Sequence, residues 1–439
     1  MKLFYFFIVL FVVTSCSFDK KSGIWTDEND ISDSKLFKDF KVITTKNSSF
    51  DKEIQIKKNF KFKQIQRINN YDWKDIFYDN TNNYKNFTYN DNNQIIFESK
   101  KISRQKINYH TLIENNNLIG SDHKGNIIVF SINDNKIIQK FNFYKKKYKK
   151  NNKSLNLIVE KGVIYVSDNL GYFYAYNYYQ DKIIWAKNYK TPFRSNLKLF
   201  KNKLVLSNQN NALLFVNKKN GDILKLIPTE EITIKNKFKN NLSLNKDSVF
   251  FLNTYGSLYS LDAETMRVNW FLSLNQSFDL NPSNLFNGSV IVNNDNIVAV
   301  SSNHFTYIID ANRGKVLFKI NFSSIIKPII AKNYFFLITK NNLLIAMDLN
   351  SGEVIYSYNV NKQISKLLNT KKKSVKFKNM FLVNNHIYVF LKNSLFLKYD
   401  INGNLEKVEK LPRKIYSHPM FIDNSMIYVS DNKKISMLD

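Results

Sequence analysis

Residues 256–270 read GSLYSLDAETMRVNW: an alternating apolar and polar run, a turn that begins at Asp262, and a second run that ends in Trp270. Alternation with a period of two places successive side chains on opposite faces of a sheet. The same pattern returns in the stretches 171–185 (GYFYAYNYYQDKIIW), 304–318 (HFTYIIDANRGKVLF) and 342–356 (NLLIAMDLNSGEVIY). The chain is therefore predicted to consist of repeats of one β-rich unit.

Eight positions align on the residue that begins this turn. They lie 38 to 52 residues apart and are Ser131, Asn177, Asn217, Asp262, Asp310, Asp348, Asp400 and Asp439. A repeat of this length holds four short strands, and such units stack radially in a propeller. We therefore expect an all-β fold, an eight-bladed β-propeller with four-stranded blades.

The residues that recur around the turn have structural explanations. A short Asp or Asn side chain accepts a hydrogen bond from the backbone two residues later. Glycines that follow it supply a positive φ, and they are Gly221, Gly314 and Gly352. Aromatic residues eight positions after the turn residue are expected to be buried between blades, and they are Trp185, Trp270, Phe318 and Tyr356.

Closure of the ring needs one more strand, because the last repeat stops at Asp439, directly after its turn position. An open ring would leave two unpaired strand edges. The stretch 54–64 (IQIKKNFKFKQ) resembles a strand and precedes the first repeat. We predict that it pairs with the C-terminal blade and closes the ring.

The first residues have the order of an export signal. A short basic start precedes an apolar run at 3–13 (LFYFFIVLFVV), and small residues lead to Cys16, as in a signal peptide that ends in a lipobox. The run is too short for a bilayer-spanning helix, which needs about 20 residues. We expect a signal peptide over 1–15, lipidated Cys16 and a flexible tether over 16–50, and the propeller over 51–439. The alternative is an ordinary signal peptide with a chance cysteine.

Cysteine use and charge limit the function further. Cys16 is the single cysteine of the chain, so no intramolecular disulfide can form. The net charge of +29 would suit nucleic acid, but the lysines are spread along the chain, and the runs 145–150 and 371–373 are typical of solvated loops. An exported protein meets little nucleic acid, so no such partner is expected, although a basic surface attracts anionic lipid or acidic proteins.

The unit G-x-L-Y-A-L-D-A-x-T-G-x-x-x-W is the signature of the repeat first known from pyrroloquinoline-quinone (PQQ) enzymes, and residues 256–270 resemble it closely. With the lipobox, eight repeats and 439 residues, the chain resembles the BamB family, the propeller lipoproteins of the outer-membrane β-barrel assembly (BAM) complex. This resemblance implies a non-enzymatic scaffold, anchored by lipid to the periplasmic face of the outer membrane, that assists assembly and insertion of outer-membrane β-barrel proteins.

The resemblance also implies partners and a site. Family members bind a POTRA domain of the barrel-inserting subunit BamA through loops that include an arginine soon after one blade's tryptophan. In residues 185–197 (WAKNYKTPFRSNL) the matching arginine is Arg194, and the predicted partner-binding residues are Phe193, Arg194 and Leu197. The alternative places Phe193 in the core and Arg194 in solvent. Unfolded outer-membrane protein precursors are the second implied partner. Where the family has an acidic pair, this chain has Lys237 and Lys239.

Two alternatives of other classes remain. A PQQ-dependent periplasmic dehydrogenase uses the same repeat, but the vicinal disulfide of many such enzymes cannot form here, and no catalytic motif is present. We therefore expect no catalytic residues, no metal and no cofactor. A carbohydrate- or peptidoglycan-binding propeller would use exposed aromatics, for which Tyr144, Tyr178 and Tyr179 are candidates.

The histidines give no sign of a metal site in the sequence. None forms a close pair with ligand spacing, and surface or turn positions are expected for all five, which are His110, His123, His304, His386 and His418.

Overall fold

The computed structural model describes residues 41–42, 50–145, 148, 150–231, 240–275, 289–292, 296–302, 304–370 and 374–439. The chain divides into two compact units, 1–41 and 42–439. The predicted signal peptide, Cys16 and nearly all of the tether lie outside the described residues. These features stay predictions, and the larger unit is the one described below.

Short strands begin the described chain, and the first two sheets follow them. The short strands are β1 (Lys41–Val42), β2 (Arg67–Ile68), β3 (Asn86–Phe87) and β4 (Ile95–Glu98). Sheet 1 contains β5 (Leu112–Glu114), β6 (Asn117–Ser121), β7 (Asn126–Ser131) and β8 (Lys136–Asn142). Sheet 2 contains β9 (Leu155–Glu160), β10 (Val163–Asp168), β11 (Tyr172–Asn177) and β12 (Lys182–Asn188).

The next three sheets keep the same antiparallel order. Sheet 3 contains β13 (Lys198–Phe200), β14 (Lys203–Ser207), β15 (Leu213–Asn217) and β16 (Ile223–Ile227). Sheet 4 contains β17 (Asn241–Leu244), β18 (Ser248–Leu252), β19 (Ser257–Asp262) and β20 (Val268–Ser273). Sheet 5 contains β21 (Ser289–Val292), β22 (Ile297–Ser301), β23 (Thr306–Asp310) and β24 (Val316–Ile320), and β1 adds a fifth strand.

Three further sheets complete the unit. Sheet 6 contains β25 (Ile329–Ala331), β26 (Tyr334–Ile338), β27 (Leu343–Asp348) and β28 (Val354–Asn359), followed by helix α1 (Val360–Leu368). Sheet 7 contains β29 (Phe377–Val383), β30 (His386–Leu391), β31 (Leu395–Tyr399) and β32 (Leu405–Lys410), with β3 and β2 added in parallel beside β29. Sheet 8 contains β33 (Met420–Ile422), β34 (Ser425–Val429), β35 (Ile435–Leu438) and β4.

The prediction of an all-β fold built from four-stranded units is confirmed in these eight sheets. All eight aligned turn positions lie at the end of a third strand or directly after it, as Asp262 does at the end of β19. Its Oδ1 accepts hydrogen bonds from Thr265 N at 2.6 Å and Glu264 N at 3.1 Å. Gly221 has a φ of 74°, as the turn requires.

In several sheets, an aromatic side chain of the last strand packs against the last turn of the following sheet. Trp185 of sheet 2 is 8% exposed, and its Nε1 donates to Lys218 O in the last turn of sheet 3 at 2.9 Å. A Cβ built on Gly221 in that turn would lie 2.5 Å from the Trp185 ring. The same arrangement joins Trp270 to Gly314, at 2.6 Å. The predicted position of these aromatics between units is therefore explained by contact with a turn glycine, although Trp270 is only partly buried.

The prediction that residues 54–64 complete the C-terminal sheet was wrong. Residues 95–98, not 54–64, pair with β35 in antiparallel register, with Glu98 opposite Ser436 and Phe97 opposite Met437. Residues 54–64 lie instead along sheet 6, where Phe62 packs edge-on against Tyr334 at 4.7 Å. Ile54 forms an antiparallel bridge to Ser357 of sheet 6, and the other apolar residues of the alternating pattern, Ile56, Phe60 and Phe62, pack partly buried against the core.

Residues 69–90, called the central segment below, contact the first strands of seven sheets. First strands of neighbouring sheets also contact one another, as β5 does β9. The central segment hydrogen-bonds to sheets 1, 2, 3, 4, 6 and 8 through Trp73 N to Ile113 O, Val159 N to Lys74 O, Asn80 to Leu199 O, Asn82 to Leu242 O, Asn83 to Ile330 O and Asn70 to Phe421 O. In sheet 7, its strand β3 pairs with β29. A single segment of 22 residues can reach all of these strands only if they converge around it.

A buried ion pair holds the central segment in place. Lys198 Nζ lies 2.7 Å from Asp75 Oδ2, and the two side chains are 0% and 4% exposed. Lys198 Nζ also donates to Asp79 O at 2.9 Å, and Phe77 N donates to Asp75 Oδ1 at 2.8 Å. Burial raises the pKa of Asp75, and the neighbouring Lys198 opposes that rise. Each charge therefore depends on the other, because an unpaired buried charge is strongly unfavourable.

We predict that Gly221→Ala lowers the free energy of unfolding by at least about 2 kcal/mol, since a side chain at positive φ and an overpacked contact each cost about 1–2 kcal/mol. The matched control is Gly120→Ala, because a Cβ there meets its nearest neighbour at an ordinary 3.5 Å. Urea unfolding of the two variants measures the difference. Equal stabilities would show that the Trp185 contact does not constrain position 221.

We predict that Lys198→Met lowers the free energy of unfolding by about 3 kcal/mol, because it leaves the Asp75 carboxylate buried without its cation. The loss should be smaller at pH 5 than at pH 8. Without Lys198, nothing opposes the rise that burial causes in the pKa of Asp75. The folded state then keeps a proton on Asp75 at a pH where the unfolded state has released it. The free energy of unfolding therefore falls as the pH rises. Lys362→Met, which breaks the exposed pair with Glu53, should leave the denaturation midpoint nearly unchanged. A pH-independent loss would contradict this explanation.

Candidate docking loop and the filled centre

The loop that joins sheets 2 and 3, residues 189–197, is fixed by backbone hydrogen bonds to both of these sheets and to the residue before sheet 4. Phe193 N donates to Asp168 O in sheet 2 at 3.0 Å, and Arg194 N donates to Ser207 O in sheet 3 at 3.0 Å. Asn240 N, which precedes sheet 4, donates to Arg194 O at 2.9 Å. Because both the N–H and the carbonyl of Arg194 are hydrogen-bonded, its backbone has a defined position at the ends of the strands.

The three predicted partner-binding residues have different surroundings. Phe193 is 3% exposed and packs against Tyr189, with ring centroids 5.3 Å apart. Leu197 is 1% exposed in the same apolar cluster, whereas Arg194 is partly exposed. Phe193 faces inward because its backbone bridges to Asn208 in the turn of sheet 3. Direct contact with a partner therefore stays a prediction that rests on Arg194, with Phe193 and Leu197 holding the loop.

An acidic residue that the sequence prediction did not single out lies close to this loop. Gln209 N donates to Pro192 O at 2.8 Å, which joins the loop to the turn at 208–212. In that turn, Asn210 Nδ2 donates to the exposed Glu231 at 3.1 Å. Lys237 and Lys239 lie outside the described residues. We call four residues of this region the docking face: Arg194, Gln209, Asn210 and Glu231. The docking face thus carries one positive and one negative side chain.

The neighbouring Glu230 has a structural role. Its carboxylate accepts hydrogen bonds from Ser257 Oγ at 2.7 Å, Asn253 Nδ2 at 2.8 Å and Tyr259 Oη at 2.9 Å. These donors belong to sheet 4 or to its turn, so Glu230 fixes the start of the connection between sheets 3 and 4. The adjacent pair Glu230 and Glu231 was the signal in the sequence that could have identified an acidic site here.

Two of the five histidines converge, and the expectation of surface or turn positions was wrong for His418. The His418 side chain is 2% exposed, with Nε2 at 2.7 Å from Tyr84 Oη and Nδ1 at 3.0 Å from Asn379 Nδ2. The ring of His110 lies 5.7 Å away. Burial, followed by the charges of nearby His110 and Lys327, holds the pKa of His418 well below its usual value. The neutral His418 imidazole, hydrogen-bonded at both nitrogens, is therefore part of the packed interior.

Aromatic side chains of the central segment fill the space between the first strands. Trp73 and Phe87 are fully buried, and Tyr84 stacks on Phe381 with centroids 4.7 Å apart. Lys327 Nζ lies 3.4 Å from the centroid of the Tyr84 ring. Burial lowers the pKa of Lys327 well below its usual value, as expected for an ammonium group taken from water into an apolar site. Lys327 Nζ also donates to Phe77 O at 3.4 Å, so this buried ammonium group is held by groups of the central segment itself.

The candidate carbohydrate platforms are mostly not available. Tyr178 is 1% exposed, and Tyr144 Oη donates to Asp168 Oδ2 at 2.5 Å in a partly buried site. Tyr179 is 57% exposed, but its ring covers Gly162, where a Cβ would lie 2.2 Å away. A stacking platform needs several accessible rings, and two of these three belong to the packed structure.

The described part of the chain has neither a metal-binding cluster nor a membrane-spanning helix. Within it, no group of three or more His, Cys, Asp or Glu side chains is arranged to hold a metal ion. Nor does any helix in those ranges combine the length and apolarity needed to cross a membrane.

Comparison with solved structures shows the fold. BamB from Moraxella catarrhalis superposes with a TM-score of 0.62 at 12% identity, covering 79% of this chain and 99% of that one. Quinohemoprotein alcohol dehydrogenase from Comamonas testosteroni gives 0.61 at 10% identity, covering 84% and 80%. A europium-containing methanol dehydrogenase gives 0.58 at 9% identity, covering 83% and 89%. These superpositions establish a β-propeller fold, but identities this low do not decide between a scaffold and an enzyme.

Sequence comparison identifies the family. No curated protein matches the chain. The family model for the outer membrane protein assembly factor BamB matches residues 123–358, which is more than half of the 439 residues. The matched range runs from the turn before β7 to the last strand of sheet 6. The chain therefore belongs to the BamB family of outer membrane protein assembly factors.

Proposed function

We propose that the chain is a non-enzymatic scaffold of the outer-membrane β-barrel assembly complex that docks onto a POTRA domain of a BamA-like subunit. The observation that carries the proposal is the family match over residues 123–358. A lipid on Cys16 would hold the protein at the periplasmic face of the outer membrane, with residues 16–50 as the tether. Unfolded precursors of outer-membrane proteins are the clients in this proposal.

The eight sheets are proposed to be eight blades of a closed ring. Support comes from sheet 8, where β4 from the N-terminal part pairs with β35 at the C-terminus. Further support comes from the central segment, whose contacts with the first strands of seven sheets require those strands to surround it. A ring closed in this way has no free edge between first and last repeats.

The docking face suits a scaffold because it is rigid and carries complementary charge. The partly exposed Arg194 belongs to a loop whose backbone is bonded to sheets 2 and 3 and to Asn240, so little conformational entropy is lost when a partner binds. An arginine that forms paired hydrogen bonds with a carboxylate is a common centre of protein interfaces. Glu231 offers a carboxylate to a basic group on the same partner. We infer that the POTRA domain presents an acidic residue to Arg194.

The similarity to solved dehydrogenases makes a PQQ enzyme the alternative function, but the centre of this chain does not fit that cofactor. A planar quinone would need an open slot between the first strands, which the central segment fills with Trp73, Tyr84 and Phe87. Among the described residues no carboxylate and histidine set could hold the accompanying cation. The sole cysteine, Cys16, lies in the predicted lipobox. We therefore propose no reaction and no cofactor.

We predict that Arg194→Glu reduces recovery of the BamA-like subunit at least tenfold when the tagged full chain is purified from detergent-solubilised membranes and its partners are quantified by mass spectrometry. The charge reversal places a carboxylate against the inferred acidic residue of the partner. The matched control is Arg313→Glu, an exposed arginine in a turn at the opposite strand ends of sheet 5, which should recover wild-type amounts.

Two results would contradict the proposal. Absence of a BamA-like subunit from the wild-type preparation would reject the assembly role. Equal losses with Arg194→Glu and Arg313→Glu would retain the role but reject the docking face. Unchanged thermal unfolding of both variants is the required check that the loop has kept its structure.

A further inference from the structure

A hollow of about 860 Å³ on the side of sheet 1 is lined by six basic side chains. They come from the connection after β4, the turn before β7, strand β8 and the loop before β9. These residues, called the basic hollow below, are Lys101, Arg104, Lys124, Lys140, Lys145 and Lys153. Neither Asp nor Glu is among the lining residues. A concave site of this size can enclose a small molecule.

Most of the positive charge of the basic hollow is not neutralised by ion pairs, although the buried carboxylates of Asp122 and Asp168 act on Lys153. Among the described residues, none of Lys101, Arg104, Lys140 and Lys145 forms an ion pair. The closest acidic residue in sequence, Asp122, is 0% exposed and turned into its own loop, where it accepts from Ser103 Oγ at 2.9 Å and Asn126 Nδ2 at 2.7 Å. Like charges gathered in a concavity repel one another and raise the local concentration of anions.

The floor of the basic hollow is a built structure. Gly125 has a φ of 84°, and a Cβ there would lie 2.4 Å from the ring of Tyr144, so the ring lies directly on the backbone. Lys153 is 2% exposed, and its Nζ lies 5.1 Å from the centroid of the same ring. Burial, followed by the charge of Lys124, lowers the pKa of Lys153. Lys153 Nζ also donates to Tyr148 O, so its ammonium group is fixed beneath the ring and contributes positive charge to the floor of the basic hollow.

We propose that the basic hollow binds a phosphate-bearing anion with two or more negative charges. Lysine ammonium groups act as point-charge ligands of phosphate, and the one arginine can form paired hydrogen bonds with its oxygens. The side-chain amide of Gln105 lines the same space and can supply a neutral donor. The phosphate could belong to a lipid headgroup or to a soluble molecule. This site lies on sheet 1 and does not depend on the docking face.

The proposal is tested by titrating the full chain, purified in a neutral detergent, with three probes. Inorganic pyrophosphate represents soluble phosphate, phosphatidylglycerol in mixed micelles represents a lipid headgroup, and phosphatidylcholine micelles measure binding without net lipid charge. Calorimetry should show saturable binding of at least one phosphate probe and none of phosphatidylcholine. Stronger binding of phosphatidylglycerol than of pyrophosphate would assign the site to lipid, and the reverse order would assign it to a soluble ligand.

Variants with equal charge change separate the site from the general basicity of the chain. Lys101→Glu, Arg104→Glu and Lys140→Glu together should weaken binding at least tenfold. The control combines Lys182→Glu, Lys219→Glu and Lys225→Glu, three exposed lysines on sheets 2 and 3, and should stay within twofold of wild type. Equal weakening by both triple variants, or no saturable binding by the wild type, would overturn the proposal.

A second set of substitutions guards against misfolding. If the glutamate triple variant unfolds at a lower temperature than the control, Lys101→Gln, Arg104→Gln and Lys140→Gln remove the charge without reversing it. At least a threefold loss of affinity is then expected. Wild-type affinity in this folded glutamine variant would also overturn the proposal.

Discussion

The contact between an aromatic ring in one sheet and a glycine turn in the next determines much of this structure. Trp185 lies against Gly221 and Trp270 against Gly314, each closer than a side chain at the glycine would permit. Each indole also donates to a backbone carbonyl of the neighbouring turn. The repeat therefore encodes both partners of this contact: the aromatic ring lies in the last strand of one unit, and the glycine that it packs on lies in the last turn of the following unit. Sheets that could not stand alone are stabilised by their neighbours.

The repeat is also the part of the structure that could be predicted from sequence. Turn residues such as Asp262 and Asp348 mark third strands correctly, because a short capping side chain and a positive-φ glycine impose the same local geometry in each copy. Strand β4 escaped prediction since it is a single short strand whose partner, β35, lies at the other end of the chain. Local pattern carries no information about which of two β-like stretches completes a distant sheet.

The centre and the loop were harder to predict for different physical reasons. The central segment has neither strand alternation nor a helical stripe, and it is held by side-chain amides such as Asn82 and Asn83 that bond to backbone carbonyls far along the chain. In the loop, Arg194 was found by resemblance, whereas the inward direction of Phe193 follows from a backbone bridge to Asn208. Side-chain direction in an irregular segment depends on such tertiary bonds.

A filled centre and fixed loops favour binding at the ends and sides of the sheets. The most direct measurement is a cryo-EM map of the tagged full chain purified with its BamA-like subunit. Density for a POTRA domain should lie against Arg194 and Glu231, with residues 69–90 occupying the centre of the ring. A partner bound at the opposite strand ends, or a cofactor in the centre in place of Trp73 and Tyr84, would contradict the proposed scaffold function.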